Sequence, residues 1–299
     1  MTRTLSLLAL LAAACGSTAS GTDLGAPDAT TPDAATEGGT SLTDAAPRDE
    51  GVDAPVVSTR LFALPGGVHG VAVDAEGRVL VADTFRSRTL LRSEPGLAEP
   101  LAATGFGSGQ PAGLRYEGET LFVADTLENA VLELDAALTL VARRPAPAPW
   151  NTTRLGDGDR LAIGFAGELV RLGEPGESAE VLFGGLDAPF DLAPAAEGGV
   201  WISEQGAGPG RVARWSLAGE RLETLEHPGG AWANPEGLVV DAAGDLWIAE
   251  TERGEVLRLR GGAVRVEARI ELPVALTRHP EGGVLVAHGG ASAGLVWLR

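Results

Sequence analysis

Asn234-Pro-Glu-Gly-Leu-Val-Val-Asp-Ala-Ala-Gly-Asp-Leu-Trp-Ile-Ala-Glu-Thr-Glu-Arg-Gly-Glu-Val-Leu-Arg-Leu259 reads as three short strands joined by two tight connections. Val239-Val240 closes an inner strand. Asp241-Ala-Ala-Gly244 suits a type I turn with its glycine in the left-handed position, and Leu246-Trp-Ile-Ala249 forms the next strand. A loop from Glu250 to Gly254 then leads into Val256-Leu-Arg-Leu259.

The same pattern appears as Gly70-Val-Ala-Val-Asp-Ala-Glu-Gly-Arg-Val-Leu-Val-Ala-Asp-Thr84 and as Gly113-Leu-Arg-Tyr-Glu-Gly-Glu-Thr-Leu-Phe-Val-Ala-Asp-Thr126. Weaker copies run through Leu161-Ala-Ile-Gly164, Val200-Trp-Ile-Ser-Glu204 and Val284-Leu-Val-Ala-His288. Residues matched to Ile248 fall at 81, 123, 163, 202, 248 and 286, spaced by 42, 40, 39, 46 and 38. A period near 40 with four strands per unit predicts an all-β, six-bladed β-propeller of four-stranded antiparallel blades. The strands are continuous apolar runs such as Val79-Leu-Val-Ala82, as stacked blades buried on both faces require. A membrane barrel would alternate, and one Tyr and seven Phe cannot furnish its two aromatic girdles.

The chain's last strand, Gly294-Leu-Val-Trp-Leu298, matches the third strand of a blade, so the sixth blade lacks its outer strand. Thr59-Arg-Leu-Phe-Ala63 is expected to supply it, closing the ring and removing two sheet edges. The other outer strands are expected at Glu99–Ala103, Leu138–Arg143, Glu180–Phe183, Arg221–Leu225 and Val264–Ile270.

The repeats resemble two families over residues 56–299. Gly70 to Thr84 looks like the NHL repeat, and Pro235-Glu-Gly-Leu-Val-Val-Asp241 with Leu246-Trp-Ile-Ala249 looks like the SMP-30/gluconolactonase family. Both resemblances imply a six-bladed propeller, a fold that hosts binding modules and enzymes alike.

Residues 1–14 carry Arg3, an apolar run from Leu5 to Leu11 and Ala12-Ala-Ala14, which reads as a secretory signal peptide. Cys15, the only cysteine, follows directly and resembles the lipidated mature N-terminus of a bacterial lipoprotein, implying export and sorting to the outer membrane. With one cysteine there is no disulfide framework and no cysteine metal site. Residues 16–55 are poor in apolar side chains and rich in Asp, Ala, Pro, Ser and Thr, and are expected to form a disordered acidic linker. All 23 basic residues are arginine against 41 acids, a formal charge of -18 that disfavours nucleic acid or an anionic membrane surface as a partner. Membrane contact is expected through the lipid only.

In a propeller, the loops entering the innermost strands cluster round one mouth of the central channel. Alignment places His69, Ala112, Asn151, Phe190, Glu236 and Val274 there. His69, Asn151 and Glu236 are donors that together could hold one divalent cation, Ca, Mg or Zn; the plain alternative is solvated channel-lining side chains. The SMP-30/gluconolactonase resemblance implies a metal held by an acid on blade one, an Asn on blade four and an Asp on blade five, with a substrate Asn on blade three. Glu236 and Asn151 match two of these positions, whereas His69 and Phe190 replace the other two. Asp83, Asp125, Glu204, Glu250 and His288 end second strands on the same face; each acid serves either as a loop cap or as part of an acidic, cation-attracting rim. Trp150 and Trp232 are placed to wall a pocket there. Two functions remain: a module that binds a small molecule or protein through the channel face, or a divalent-metal-dependent lactonase.

Overall fold

The computed structural model describes residues 58–64, 67–93, 102–107, 109–290 and 293–299. The expected signal peptide, Cys15 and all of the expected linker, residues 16–55, lie outside the described residues. The propeller strands fall within the compact unit Pro55–Arg299.

β1 (Ser58–Ala63) opens the described chain. Blade one follows as β2 (Val68–Val73), β3 (Val79–Asp83), β4 (Thr89–Arg92) and β5 (Ala102–Gly107). Blade two is β6 (Pro111–Glu117), β7 (Thr120–Asp125), β8 (Ala130–Leu134) and β9 (Leu140–Pro145). Blade three is β10 (Pro149–Arg154), β11 (Arg160–Gly164), β12 (Glu168–Arg171) and β13 (Glu180–Gly184). Blade four is β14 (Pro189–Pro194), β15 (Val200–Glu204), β16 (Arg211–Trp215) and β17 (Arg221–Thr224). Blade five is β18 (Pro235–Val240), β19 (Leu246–Glu250), β20 (Glu255–Arg260) and β21 (Ala263–Arg269), and blade six adds β22 (Pro273–Arg278), β23 (Val284–His288) and β24 (Gly294–Leu298).

Six four-stranded antiparallel sheets result, and the sixth has the order β1-β24-β23-β22. Ser58 faces Leu298 and Thr59 faces Trp297, so the N-terminal strand completes the last blade as expected. The outer strand of blade one lies further along the chain than expected, pairing Arg92 with Ala102 and Thr89 with Gly107. It begins beyond Pro100, and a proline has no N–H to give to a ladder.

Second strands such as Leu121–Asp125 and Leu246–Glu250 are buried throughout, and apolar clusters fill the space between neighbouring blades. Three of the turns that join inner to second strands, in blades one, five and six, share one device. Asp74 Oδ1 accepts the N–H groups of Glu76 and Arg78, and Asp241 Oδ1 those of Ala243 and Asp245. His279 replaces the aspartate in blade six, its Nδ1 accepting from Glu281 N at 3.2 Å.

Neighbouring blades are latched near the mouth. Thr126 Oγ1 donates to Pro149 O at 2.8 Å, and Thr251 Oγ1 to Pro273 O at 2.7 Å, each tying the end of one second strand to the next inner strand. Glycine sits where the inner strands press together. A Cβ on Gly70 would lie 2.0 Å from Ala112 O, one on Gly113 2.3 Å from Asn151 Oδ1, and one on Gly237 2.8 Å from Val274 O.

Candidate channel mouth

Every inner strand enters with a break in register at the same place. The shifts fall between Val68 and Gly70, Pro111 and Leu114, Pro149 and Asn151, Pro189 and Asp191, Pro235 and Leu238, and Pro273 and Ala275. A bulge of this kind frees one side chain from the ladder and re-aims it. In blades three, four and six the residue before the entry proline is also left-handed, at Ala148, Ala188 and Leu272.

This common break corrects the alignment of blade three. Arg154 pairs with Arg160 across a five-residue turn, just as Val73 pairs with Val79, so Ala162 rather than Ile163 corresponds to Val81. The strand moves by one residue. Trp150 therefore takes the mouth position and Asn151 takes the close-packed position occupied by Gly70, Gly113 and Gly237 elsewhere. Asn151 is buried, and its Oδ1 accepts the Thr152 N–H at 2.9 Å.

The ring of mouth residues is thus His69, Ala112, Trp150, Phe190, Glu236 and Val274. Three of these close the opening. The His69 ring lies 5.5 Å from Trp150 and 5.7 Å from Phe190, and Trp150 lies 5.5 Å from Phe190. His69 and Phe190 belong to blades one and four, which face each other across the wheel, so their contact spans the channel. Phe85 stands edge-on to His69 at 4.8 Å, and Phe165 packs on Trp150 at 4.6 Å. Both rings are partly exposed, whereas Trp150 and Phe190 are buried beneath them. Phe85 and Phe165 were not singled out by the sequence reading; each lies one or two residues past the end of a second strand.

Enclosure sets the protonation of the two titratable mouth residues. Burial lowers the His69 pKa to about 4, so the imidazole is neutral at physiological pH. Its Nδ1 is buried and has no hydrogen-bond partner among the described residues. Burial raises Glu236 to about 8, outweighing the hydrogen bond from Asn234 that favours the charged form. Its Oε1 accepts from Asn234 Nδ2 at 2.9 Å and Gln205 Nε2 at 3.3 Å, while Oε2 is buried without a partner among the described residues. His69 and Glu236 are thus both largely uncharged at neutral pH, while the Glu250 and Glu252 charges act on Glu236 from nearby.

Four carboxylates that end second strands are engaged by neighbouring groups. Asp83 accepts from Arg86 N, Ser87 N and Ser87 Oγ, and Asp125 from Gly109 N, Gln110 N and Glu128 N. Glu204 binds Asp187 N and the Arg211 guanidinium, and Glu250 binds Ala233 N and Asn234 N. These acids cap loops at the ends of the second strands, and Glu250 acts electrostatically on Glu236 at the mouth. His288 is buried, with Nδ1 3.3 Å from Gly289 O. Trp232 lies in the core between blades four and five, its Nε1 donating to Leu225 O at 2.8 Å, and does not wall the mouth.

The donor set does not fit a divalent cation. Phe190 occupies a ligand position that the resemblance assigns to Asn, one oxygen of Glu236 is engaged by the amides of Asn234 and Gln205, and Asn151 is displaced from the mouth by one residue. Among the described residues no group of three or more His, Cys, Asp or Glu side chains is arranged to hold a metal ion.

Solved structures share this architecture. A gluconolactonase from Xanthomonas campestris superposes with a TM-score of 0.66 at 16% identity, covering 82% of this chain and 90% of that one. The fold is that of the gluconolactonase-like six-bladed propellers. Regucalcin from Agrobacterium tumefaciens, described as calcium-binding, shares this gluconolactonase-like fold with a TM-score of 0.59 at 16% identity, covering 82% and 93% of the two chains. Virginiamycin B lyase from Staphylococcus aureus gives 0.56 at 14%, covering 82% and 87%. No protein-family model and no curated protein matches the sequence.

Proposed function

We propose that this chain is a lipid-anchored, extracytoplasmic propeller that binds a small molecule or protein through its channel face, and that it is not a metal-dependent lactonase. The observation that carries this reading is the contact of Phe190 with His69, 5.7 Å apart across the channel, at the level where a lactonase would need an open, metal-lined cleft. The face that remains is aromatic, built from the partly exposed Phe85 and Phe165 over Trp150, with His69 and Glu236, both held largely neutral by burial, beside it. Such a surface suits an uncharged apolar or aromatic ligand better than a cation or an acidic sugar.

The test is metal analysis of the purified chain after incubation with Ca, Mg and Zn, alongside lactone hydrolysis by wild type and Glu236→Ala. The expected result is no stoichiometric metal and no turnover above background. One tightly held metal, with turnover abolished by Glu236→Ala, would establish the lactonase instead. Fractionation of cells expressing wild type or Cys15→Ser tests the anchor, with release of the variant from membranes expected.

A further inference from the structure

The loops that follow the second strands give the mouth two unlike halves. In blades one, two and three they carry Phe85, Leu127 and Phe165, one or two residues past the strand. Leu127 is 54% exposed and the two phenylalanines are partly exposed, an apolar surface that the fold itself leaves uncovered. Phe85 lies 6.2 Å from Trp150 and Phe165 lies 4.6 Å from it, so the tryptophan floors the wall. In blades four, five and six the residues two past the strand are Gly206, Glu252 and Gly290. The glycines raise no wall, and carboxylates stand where their side chains would be. A Cβ on Gly206 would lie 3.0 Å from Asp187 Oδ2, and one on Gly290 2.3 Å from the Glu271 carboxyl carbon.

Glu236 belongs to the polar half, and its neighbour in the ring is Phe190. Two bonds fix that juxtaposition: Ser203 Oγ donates to Glu236 O at 2.6 Å, and Leu238 N donates at 2.8 Å to Oδ2 of Asp191, the residue after Phe190. Phe190 in turn touches Trp150, so it joins the two halves. Glu236 is 2% exposed, and its Oε1 already accepts two amide N–H groups, from Asn234 and Gln205. Oε2 has no partner among the described residues. The Thr251 hydroxyl acts on Glu236 from nearby but gives its proton to Pro273 O. An ionised oxygen buried without a donor is costly, so the carboxyl proton belongs on Oε2, in line with the pKa of about 8 that burial imposes. Oε2 is then a hydrogen-bond donor with nothing to receive it.

We propose that the mouth takes an uncharged amphipathic small molecule, whose flat apolar body lies on the wall of Phe85, Leu127 and Phe165 and whose carbonyl oxygen accepts from Glu236 Oε2. This rests on the mouth being a ligand site and adds to it the ligand's polarity and its orientation across the opening. Asp187, Glu252 and Glu271 on the polar half work against an anion at that end.

Fluorescence titration of the full chain with two uncharged dyes gives the readout: Nile red, planar with a ring carbonyl, and N-phenyl-1-naphthylamine, which has none. Both are expected to fill one site per chain and to displace each other. Leu127→Asp, at an exposed position that the fold does not need, is expected to weaken both about tenfold or more, as loss of a leucine contact does. Glu236→Leu is expected to weaken Nile red about tenfold more than the naphthylamine, and Glu236→Gln, which puts an N–H donor in place of Oε2, to restore it. Unchanged binding in Leu127→Asp, or equal effects of Glu236→Leu on the two dyes with no recovery in Glu236→Gln, overturns this inference while leaving the mouth a ligand site. Saturable binding of neither dye overturns the inference and counts against the small-molecule reading of the mouth as well.

Discussion

Glu236 holds a proton that an ordinary glutamate would have lost. Its folded pKa of about 8 lies above the unfolded value of 4.5, so the folded chain binds more protons than the unfolded chain between those limits. The sign follows: this residue's contribution is fully present below pH 4.5 and is lost as pH rises through 8. Glu236→Gln, which keeps the shape and the amide contacts, should remove that loss and leave the variant more stable by up to a few kcal/mol at pH 8 to 9, with little change at pH 4 to 5. Chemical denaturation of both proteins across this range is the measurement, and parallel stability profiles would show that Glu236 is ionised in the fold. Nothing in the tripeptide Pro235-Glu236-Gly237 announces this. The shift arises first from burial by the enclosing blades, which surround Glu236 only after the ring has formed, and it prevails over the Asn234 hydrogen bond that favours the charged form.

At the level of strands and turns, much was legible. Asp241-Ala-Ala-Gly244 folds as its residues dictate, with Gly244 at φ 91° and its N–H bonded to Asp241 O. Blade three was misaligned by one residue because Leu161-Ala-Ile-Gly164 can be laid on Leu246-Trp-Ile-Ala249 in two ways. The informative signal was Pro149, which marks the strand entry as Pro111, Pro189, Pro235 and Pro273 do. A one-residue slip in a strand exchanges the two faces, and here it exchanged Trp150 for Asn151. The conserved spacing within this chain also explains its glycines. Gly70→Ala would drive a Cβ to 2.0 Å from Ala112 O, a backbone atom that cannot swing aside, and should cost about 3 kcal/mol or more. Gly77→Ala has open space round it and suffers only from a φ of 77°, a cost of about 1 kcal/mol. Urea midpoints of the two variants decide the matter, and equal losses would mean that the blades tolerate being pushed apart.

For the molecule as a whole, the pairing of Ser58 with Leu298 and Thr59 with Trp297 is what makes a wheel of six sheets out of a row. A chain lacking residues 1–63 should leave β24 with an open edge, melt about 10 °C or more below the full chain, and self-associate through that edge. A chain lacking only residues 1–55 retains β1 and should melt like the full one. Thermal melts with size-exclusion chromatography compare them, and two indistinguishable truncations would show that β1 is dispensable.

That same pairing orders events during synthesis. The strand that seals the wheel leaves the ribosome about 240 residues ahead of β24, the strand it must meet. Bringing such distant segments together is slow, because the entropy of the long intervening loop is lost before any contact repays it. A prematurely terminated polypeptide can never close, however many blades it contains, and it keeps a row of unpaired amides on display. The closure is thus an inspection step as well as a fastening: only a product that includes β24 hides its own edge.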